Sequence, residues 1–356
     1  MIDYIDTGNS SQNNSEFLSQ LFFKLYHATP NRDVFLGLNL QWPTFELSPR
    51  YSRYFLSFHT EYIHLSWLLN QAQKVYPCPV TLVTDYAIEP GPHWPDNIQC
   101  IQWITTHKQI KILQDITGSN NNITVPKYKI SSLSYRVSQY KKFITAYLLA
   151  NFNKNDMILT YHNNLGKIQD HHGHPPGFSH LDKLDIDGLK KTTINFDDNF
   201  TGGVSPVKNG DWLNSAYMDA LINLTNESFH YSQTEVNDQP YCWPGPYITE
   251  KTFKPLLAGK PFLAVAQYQT YDFLRYLGFK TDFGLDLDYD QDPGDLTRIG
   301  KIFKVIDAVN ETSTQILFDS SIDAVKYNLS WIHSNNFHLH CQDLNSKNFN
   351  FLKNTI

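Results

Sequence analysis

Short apolar runs of strand length alternate along the chain with segments whose apolar residues recur at helical spacing. Residues 33–38, 54–58, 80–84 and 98–103 combine β-branched and aromatic side chains and read as strands. Between the second and third, Ile63, Trp67, Leu68 and Gln71 share a helical face over 61–75, and Pro77 closes that element. Strands alternating with helices predict an α/β fold with a parallel sheet covered on both faces. A Ser-, Asn- and Gly-containing stretch at 118–126 interrupts the pattern, and a domain break is placed there, giving domains 1–125 and 126–356.

The alternation then restarts. A strand at 129–133, a helix at 137–152 and a strand at 157–161 are followed by a His-, Gly-, Asp- and Pro-rich excursion at 163–208 with little periodicity. Next come a helix at 212–221, a strand at 222–225, a loop carrying Pro240, Pro244 and Pro246, a helix from Thr249, and a strand at 261–266. Helices at 268–277, 293–309 and 320–335 complete the second half. A chain of 356 residues exceeds one ordinary core, which agrees with two domains.

Composition narrows the class. Apolar residues at 41% and aromatics at 14% suffice for large cores, so a disordered chain is excluded. The net charge of -6, with no long basic run, disfavours binding nucleic acid by phosphate neutralisation alone. Cys78, Cys100, Cys242 and Cys341 are widely spaced and form no Cys-x-x-Cys pair, which reads as reduced thiols and a cytoplasmic setting. Residues 1–20 lack a basic n-region and an apolar h-region, and no run nears about twenty apolar residues, so neither export nor a membrane span is expected. Asn122-Ile123-Thr124 and Asn223-Leu224-Thr225 match the glycan-acceptor triplet but read as products of an Asn-rich composition.

The segment with the most chemistry is Tyr247-Ile248-Thr249-Glu250-Lys251-Thr252-Phe253-Lys254-Pro255-Leu256-Leu257-Ala258-Gly259-Lys260-Pro261. Thr249 suits an N-cap, Glu250 and Lys251 fall in the first turn, and Phe253, Leu256 and Leu257 form the apolar face. Gly259 suits the helix end. Free amides at such a helix start, with Lys251 adding a full charge, form a place for a phosphate, and Glu250 can accept from ribose hydroxyls. A simpler reading leaves Thr249 and Glu250 as caps and Lys251 in solvent.

This string resembles the donor-domain hallmark of the fucosyltransferase-type glycosyltransferases of the GT-B fold: Tyr-x-Thr-Glu-Lys, an apolar residue, then Ala-Gly before Pro. The likeness is to a divergent branch found in phages, large viruses and bacteria. It implies a GT-B-like α/β architecture, two Rossmann-like domains facing across a cleft, with the acceptor domain at 1–125 and the nucleotide-sugar donor domain at 126–356. It also implies transfer of a hexosyl or fucosyl group from a nucleotide-diphosphate sugar to a hydroxyl of a glycan or other acceptor, with inversion. No cofactor beyond that donor substrate and no metal is implied. Arg136 matches the family's diphosphate-binding Arg, and Glu227 its acidic residue near a strand end, with Glu235 competing. Tyr247, Thr249, Glu250 and Lys251 complete the donor set. The loop at 232–246 is longer and richer in Pro and aromatics than the family pattern.

Transfer needs a base for the acceptor hydroxyl and stabilisation of the leaving diphosphate. Glu61, after the strand at 54–58, is the first candidate base, because ligands gather at the carboxyl edge of open α/β sheets. Asp85, after the strand at 80–84, is the second, and His59 is a candidate acceptor contact. Asp170-His171-His172-Gly173-His174 lacks a structural-zinc pattern and reads as a solvated loop. Asp286-Leu287-Asp288-Tyr289-Asp290 offers an Asp-x-Asp pair but reads as an acidic turn. The competing function is a non-catalytic nucleotide- or carbohydrate-binding protein on the same fold, with Trp94, Trp103, Trp243 and Trp331 as stacking candidates.

Overall fold

The computed structural model of the chain describes residues 3–6, 34–38, 46–48, 50–57, 65–84, 95–102, 104, 110–111, 114, 123–134, 139–162, 191–194, 218–227, 233–236, 239–242, 246 and 248–355. Over these residues the protein is mixed α/β, with two mainly parallel sheets, one hairpin and seven α-helices. No described helix is long and apolar enough to cross a membrane.

The chain divides into two compact units. The first comprises Met1–His107, Gln233–Gly245 and His338–Ile356, and the second Lys108–Ser232 and Pro246–Phe337. A single break at 125 therefore gives way to a chain that leaves the first unit and returns to it. The Pro-bearing loop region and the carboxyl-terminal segment group with the amino-terminal sheet, a long-range preference that composition along the chain does not encode.

In the first unit, β1 (Asp3–Asp6), β2 (Val34–Leu38), β3 (Arg53–Ser57), β4 (Val80–Thr84) and β5 (Ile98–Gln102) form a wholly parallel sheet in chain order. Tyr54, Phe55 and Leu56 of β3 are all buried, as an interior strand covered on both faces requires, whereas β5, at an edge, leaves Gln99 exposed. Helix α1 (Leu65–Lys74) sets Leu69 and Ala72 into the core with Leu56, Leu82 and Ile98. Its Gln71 is buried and accepts from the Leu47 amide at 2.9 Å. Parallel α/β alternation is thus present, but the described strands lack the order reversal of a Rossmann-like half.

That reversal occurs in the second unit. Here β6 (Tyr128–Ser134), β7 (Met157–His162), β8 (Lys191–Ile194), β9 (Ala220–Asn226) and β12 (Phe262–Val265) lie in the order β12-β9-β6-β7-β8. β10 (Gln233–Val236) and β11 (Gln239–Cys242) form the antiparallel hairpin of the first unit. All neighbours in the second sheet are parallel except β7 and β8. Counted within the unit, this is the doubly wound order 3-2-1-4-5, and the winding direction switches between β6 and β9. Every residue of β9 and β12 is buried. Helices α2 (Gln139–Asn151), α3 (Glu250–Leu257), α4 (Thr270–Tyr276), α5 (Asp295–Glu311) and α6 (Thr314–His333) follow their strands, and α7 (Asn335–Thr355) carries the chain back into the first unit.

Helix α3 is closed as its sequence predicts. Gly259 adopts φ 63°, its amide donates to the Leu256 carbonyl at 3.2 Å, and the Lys260 amide donates to Pro255 at 2.9 Å. This is the paired Schellman closure, in which glycine takes the left-handed position without a Cβ penalty.

Candidate functional site

The site is built where β9 ends and α3 begins. Glu227 directly follows β9, is wholly buried, and donates its amide to the Val265 carbonyl at 3.1 Å, extending the β9–β12 ladder. Its carboxylate receives three hydrogen bonds from the start of α3. Oε1 accepts from the Thr249 amide at 3.1 Å and from Thr252 Oγ1 at 2.5 Å, and Oε2 accepts from Thr249 Oγ1 at 2.6 Å. Bonds to an ionised acceptor are roughly twice as strong as neutral ones, so three of them offset much of the desolvation cost. The Tyr140 hydroxyl of α2 donates to the Glu227 carbonyl. Glu235, the competing acidic residue, falls instead in β10 of the first unit.

Thr249 passes this anchoring on to Lys251. While donating to Glu227, its hydroxyl accepts from the Lys251 amide at 3.3 Å, the N-cap bond, and from Lys251 Nζ at 3.2 Å. The ammonium also lies 3.8 Å from Glu250 Oε1, and the Lys251 side chain is 32% exposed. The Thr-Glu-Lys string is thereby explained one residue at a time: Thr249 links carboxylate to cation, Glu250 flanks the cation, and Lys251 presents it. Burial raises the Glu250 carboxyl, but Lys251 and Lys254, with hydrogen bonds from its own amide and from Thr249, together hold it below the ordinary carboxylate range. Lys254 is buried one turn on; desolvation lowers its ammonium pKa against the opposing pull of Glu250 and Glu227.

Two expectations change in detail. The Thr249 and Lys251 amides at the helix start already have protein acceptors, and the Thr252 amide turns back to the Thr249 carbonyl at 3.2 Å, so a phosphate would meet Lys251 rather than a row of vacant amides. Glu227 has both oxygens engaged with Thr249 and Thr252, which fastens the start of α3 to the end of β9. Among these four groups the charges also cancel, with Glu227 and Glu250 against Lys251 and Lys254. Holding a diphosphate firmly therefore calls for a further cation.

Lys251 lines a recess of about 30 Å³ together with Ser131 and Leu133 of β6 and Asn223 to Asn226 of β9. This is the switch point of the second sheet, where open α/β folds bind ligands. These polar strand residues were not among the expected site residues. Their signal was Asn223, Thr225 and Asn226 interrupting a run otherwise apolar enough to be fully buried. The Asn223 triplet is no surface glycan acceptor in this fold, since Asn223 is buried inside β9. Also unforeseen is Arg298, wholly buried, whose guanidinium bonds the carbonyls of Ala266 at 3.1 Å and Asp292 at 2.7 Å and Asp295 Oδ1 at 2.6 Å, fixing the chain beyond β12.

The acidic run 286–290 is a capping turn. Asp286 Oδ1 accepts from the Asp288 amide at 3.1 Å, and the two oxygens of Asp290 accept from the Thr270 and Tyr271 amides, each at 2.9 Å. Burial pushes the Asp290 carboxyl up to about 7. Among the described residues no three His, Cys, Asp or Glu side chains converge as a metal site would require. Trp331 is tied into the fold by its indole N–H, 3.0 Å from the Leu277 carbonyl, with Gly278 against its ring. Cys78, Cys100 and Cys341 are free thiols, and burial pushes Cys100 and Cys341 up to about 12. His59, Glu61, Asp85, Arg136, Tyr247, Trp94, Trp103, Trp243 and the tract 170–174 lie outside the described residues.

Comparison of the chain with protein-family models, with curated proteins and with solved structures gives no match, so the site is interpreted from its own geometry.

Proposed function

We propose that this protein is a glycosyltransferase of GT-B-like construction, moving a sugar from a nucleotide-diphosphate donor to an acceptor hydroxyl with inversion and without a metal. The observation that carries the proposal is the placement of Lys251. A cation anchored through Thr249 to the buried Glu227 carboxylate stands at the switch point of a doubly wound sheet, and it belongs to the string that resembles the fucosyltransferase-type donor motif. In the reaction the acceptor oxygen attacks the anomeric carbon as its proton passes to a base, and the bond from that carbon to the diphosphate oxygen breaks. Lys251 and Arg136 stabilise the charge that grows on the departing diphosphate. Arg136 follows β6 in the chain by two residues and is the natural source of the further cation that the balanced cluster needs. Glu61 is the proposed base, Asp85 the second candidate and His59 an acceptor contact.

The test is thermal shift of the full chain against GDP, UDP, CDP and their sugars, followed by turnover with any donor that binds. A stabilising donor is expected, with transfer persisting in excess EDTA. Lys251→Ala is expected to remove the shift while the unliganded melting temperature stays within a few degrees, because a cation this exposed contributes little to folding. Silence across the panel, or normal turnover by Lys251→Ala, would sink the proposal. A ligand that binds but is never turned over would point to the non-catalytic alternative.

A further inference from the structure

Beside Lys251 in the lining of the recess, the interior strand β9 carries buried polar atoms that no described group satisfies. Asn223 is 2% exposed and Thr225 5% exposed. Two residues apart on a strand, they point to the same face of the sheet. Ser131, in register with Asn223 on β6, joins them there. Asn223 Oδ1 accepts from Ser131 Oγ at 2.8 Å, but Asn223 Nδ2 and Thr225 Oγ1 have no hydrogen-bond partner among the described residues. Both residues line the recess together with Lys251. On the opposite face Asn226 Nδ2 is shared between Ser132 Oγ at 3.1 Å and Ser134 Oγ at 3.2 Å, while its Oδ1 has no partner among the described residues.

Leaving a buried polar group unpaired is costly, and Val in place of Thr225 would avoid the cost while suiting a strand better. A hydroxyl kept in such a position is expected to have a partner that arrives with a ligand. The size and chemistry of the recess restrict that partner. About 30 Å³ admits roughly one or two water-sized groups, so neither a base nor a whole sugar ring enters. An amide and a hydroxyl side by side offer both donor and acceptor capacity whichever way the amide is turned, since the serine hydroxyl can serve either orientation. A phosphate oxygen only accepts, whereas a hydroxyl both donates and accepts.

We infer that the Asn223–Thr225 recess seats a hydroxyl of the donor's sugar moiety, on the ribose or on the transferred sugar, while the diphosphate stays outside at Lys251. This rests on the donor reading above and adds to it a subsite that selects for ring hydroxylation.

The experiment is calorimetric titration of the full chain with GDP, UDP, CDP and ADP and the corresponding sugar donors. The tightest is then repeated with 2′-deoxy and 3′-deoxyribose and with single deoxy positions on the transferred sugar. One deoxy position is expected to weaken binding about tenfold, and its location identifies which ring enters. Thr225→Val is expected to weaken the parent ligand similarly, to bind the sensitive deoxy ligand no worse than the wild type does, and to melt at the same or a higher temperature. Equal affinity for every deoxy form, unchanged affinity in Thr225→Val, or a lower melting temperature for that variant would each overturn the inference while leaving the donor site standing. If no nucleotide binds at all, the donor reading and this subsite fall together.

Discussion

At the scale of single residues, the Thr249 hydroxyl has the most to do. It donates to Glu227 Oε2 and accepts from the amide and the ammonium of Lys251. Thr249→Val keeps the shape but removes the cap and leaves a buried carboxylate oxygen short of a donor. The expected cost is about 2–4 kcal/mol, from about 1 for the cap and about 1–3 for the unsatisfied acceptor. Thr249→Ser, which restores the hydroxyl, is expected to lose under about 1 kcal/mol, and urea denaturation of the two variants checks the difference. Equal losses would mean that the methyl packing matters and the hydroxyl does not. The cap was legible in the sequence because capping is local, with donor and acceptor within three residues. The Glu227 anchor was not, because it spans 22 residues and only the folded sheet brings its ends together. The family likeness pointed to Glu227 as an acidic residue for the donor, but its orientation toward α3 comes from the structure.

At the scale of elements, most interior strands of both sheets could be read from their apolar runs, and β4 matches residue for residue. The missed elements share a physical cause. β8 is a four-residue edge strand, Lys191–Ile194, and the β10–β11 hairpin includes Pro240, so neither shows the apolar run that marks a buried strand. β9 begins at Ala220, earlier than expected, because its apolar start also fits a helical face. Helix α7 is rich in Asn and His, and among its described residues the buried apolar positions are Phe337, Cys341 and Leu344. What fastens α7 is a side chain imitating a strand: Asn345 Oδ1 accepts from the Ile104 amide and Nδ2 donates to the Ile104 carbonyl, each at 2.8 Å. Asn345→Ala orphans both backbone groups and is expected to cost about 2–4 kcal/mol. Hydrogen exchange at Ile104 is expected to accelerate in that variant, and unchanged protection there would show that α7 is held without Asn345, by its apolar face and the bond from Asn348 Nδ2 to the Gln102 carbonyl.

At the scale of the whole molecule, unit membership escaped the sequence because it depends on where the chain returns, while the overall α/β class did not. A pH dependence of stability also belongs to this scale. Lys260 follows the Gly259 closure and is only 6% exposed; burial pulls its ammonium down to about 8 against the opposing pull of Asp219. Between about 8 and the ordinary lysine value of 10.5, the unfolded chain binds more protons at this position than the native one, so the contribution of Lys260 to stability rises with pH across that window. Below about 8 both states are protonated, and the native protein carries the full penalty of a desolvated ammonium. Lys260→Met removes the charge and keeps the stem, so it is expected to be more stable than the wild type at pH 7 by about 1–3 kcal/mol. The gain should shrink from pH 8 upward and be mostly gone by about 10.5, where the native amine is neutral and the unfolded one is half deprotonated. Groups common to both proteins cancel in the difference, so parallel denaturation curves from pH 6 to 10.5 isolate this one side chain. A gain that stays constant across the range would assign the effect to packing and remove the buried charge from the account.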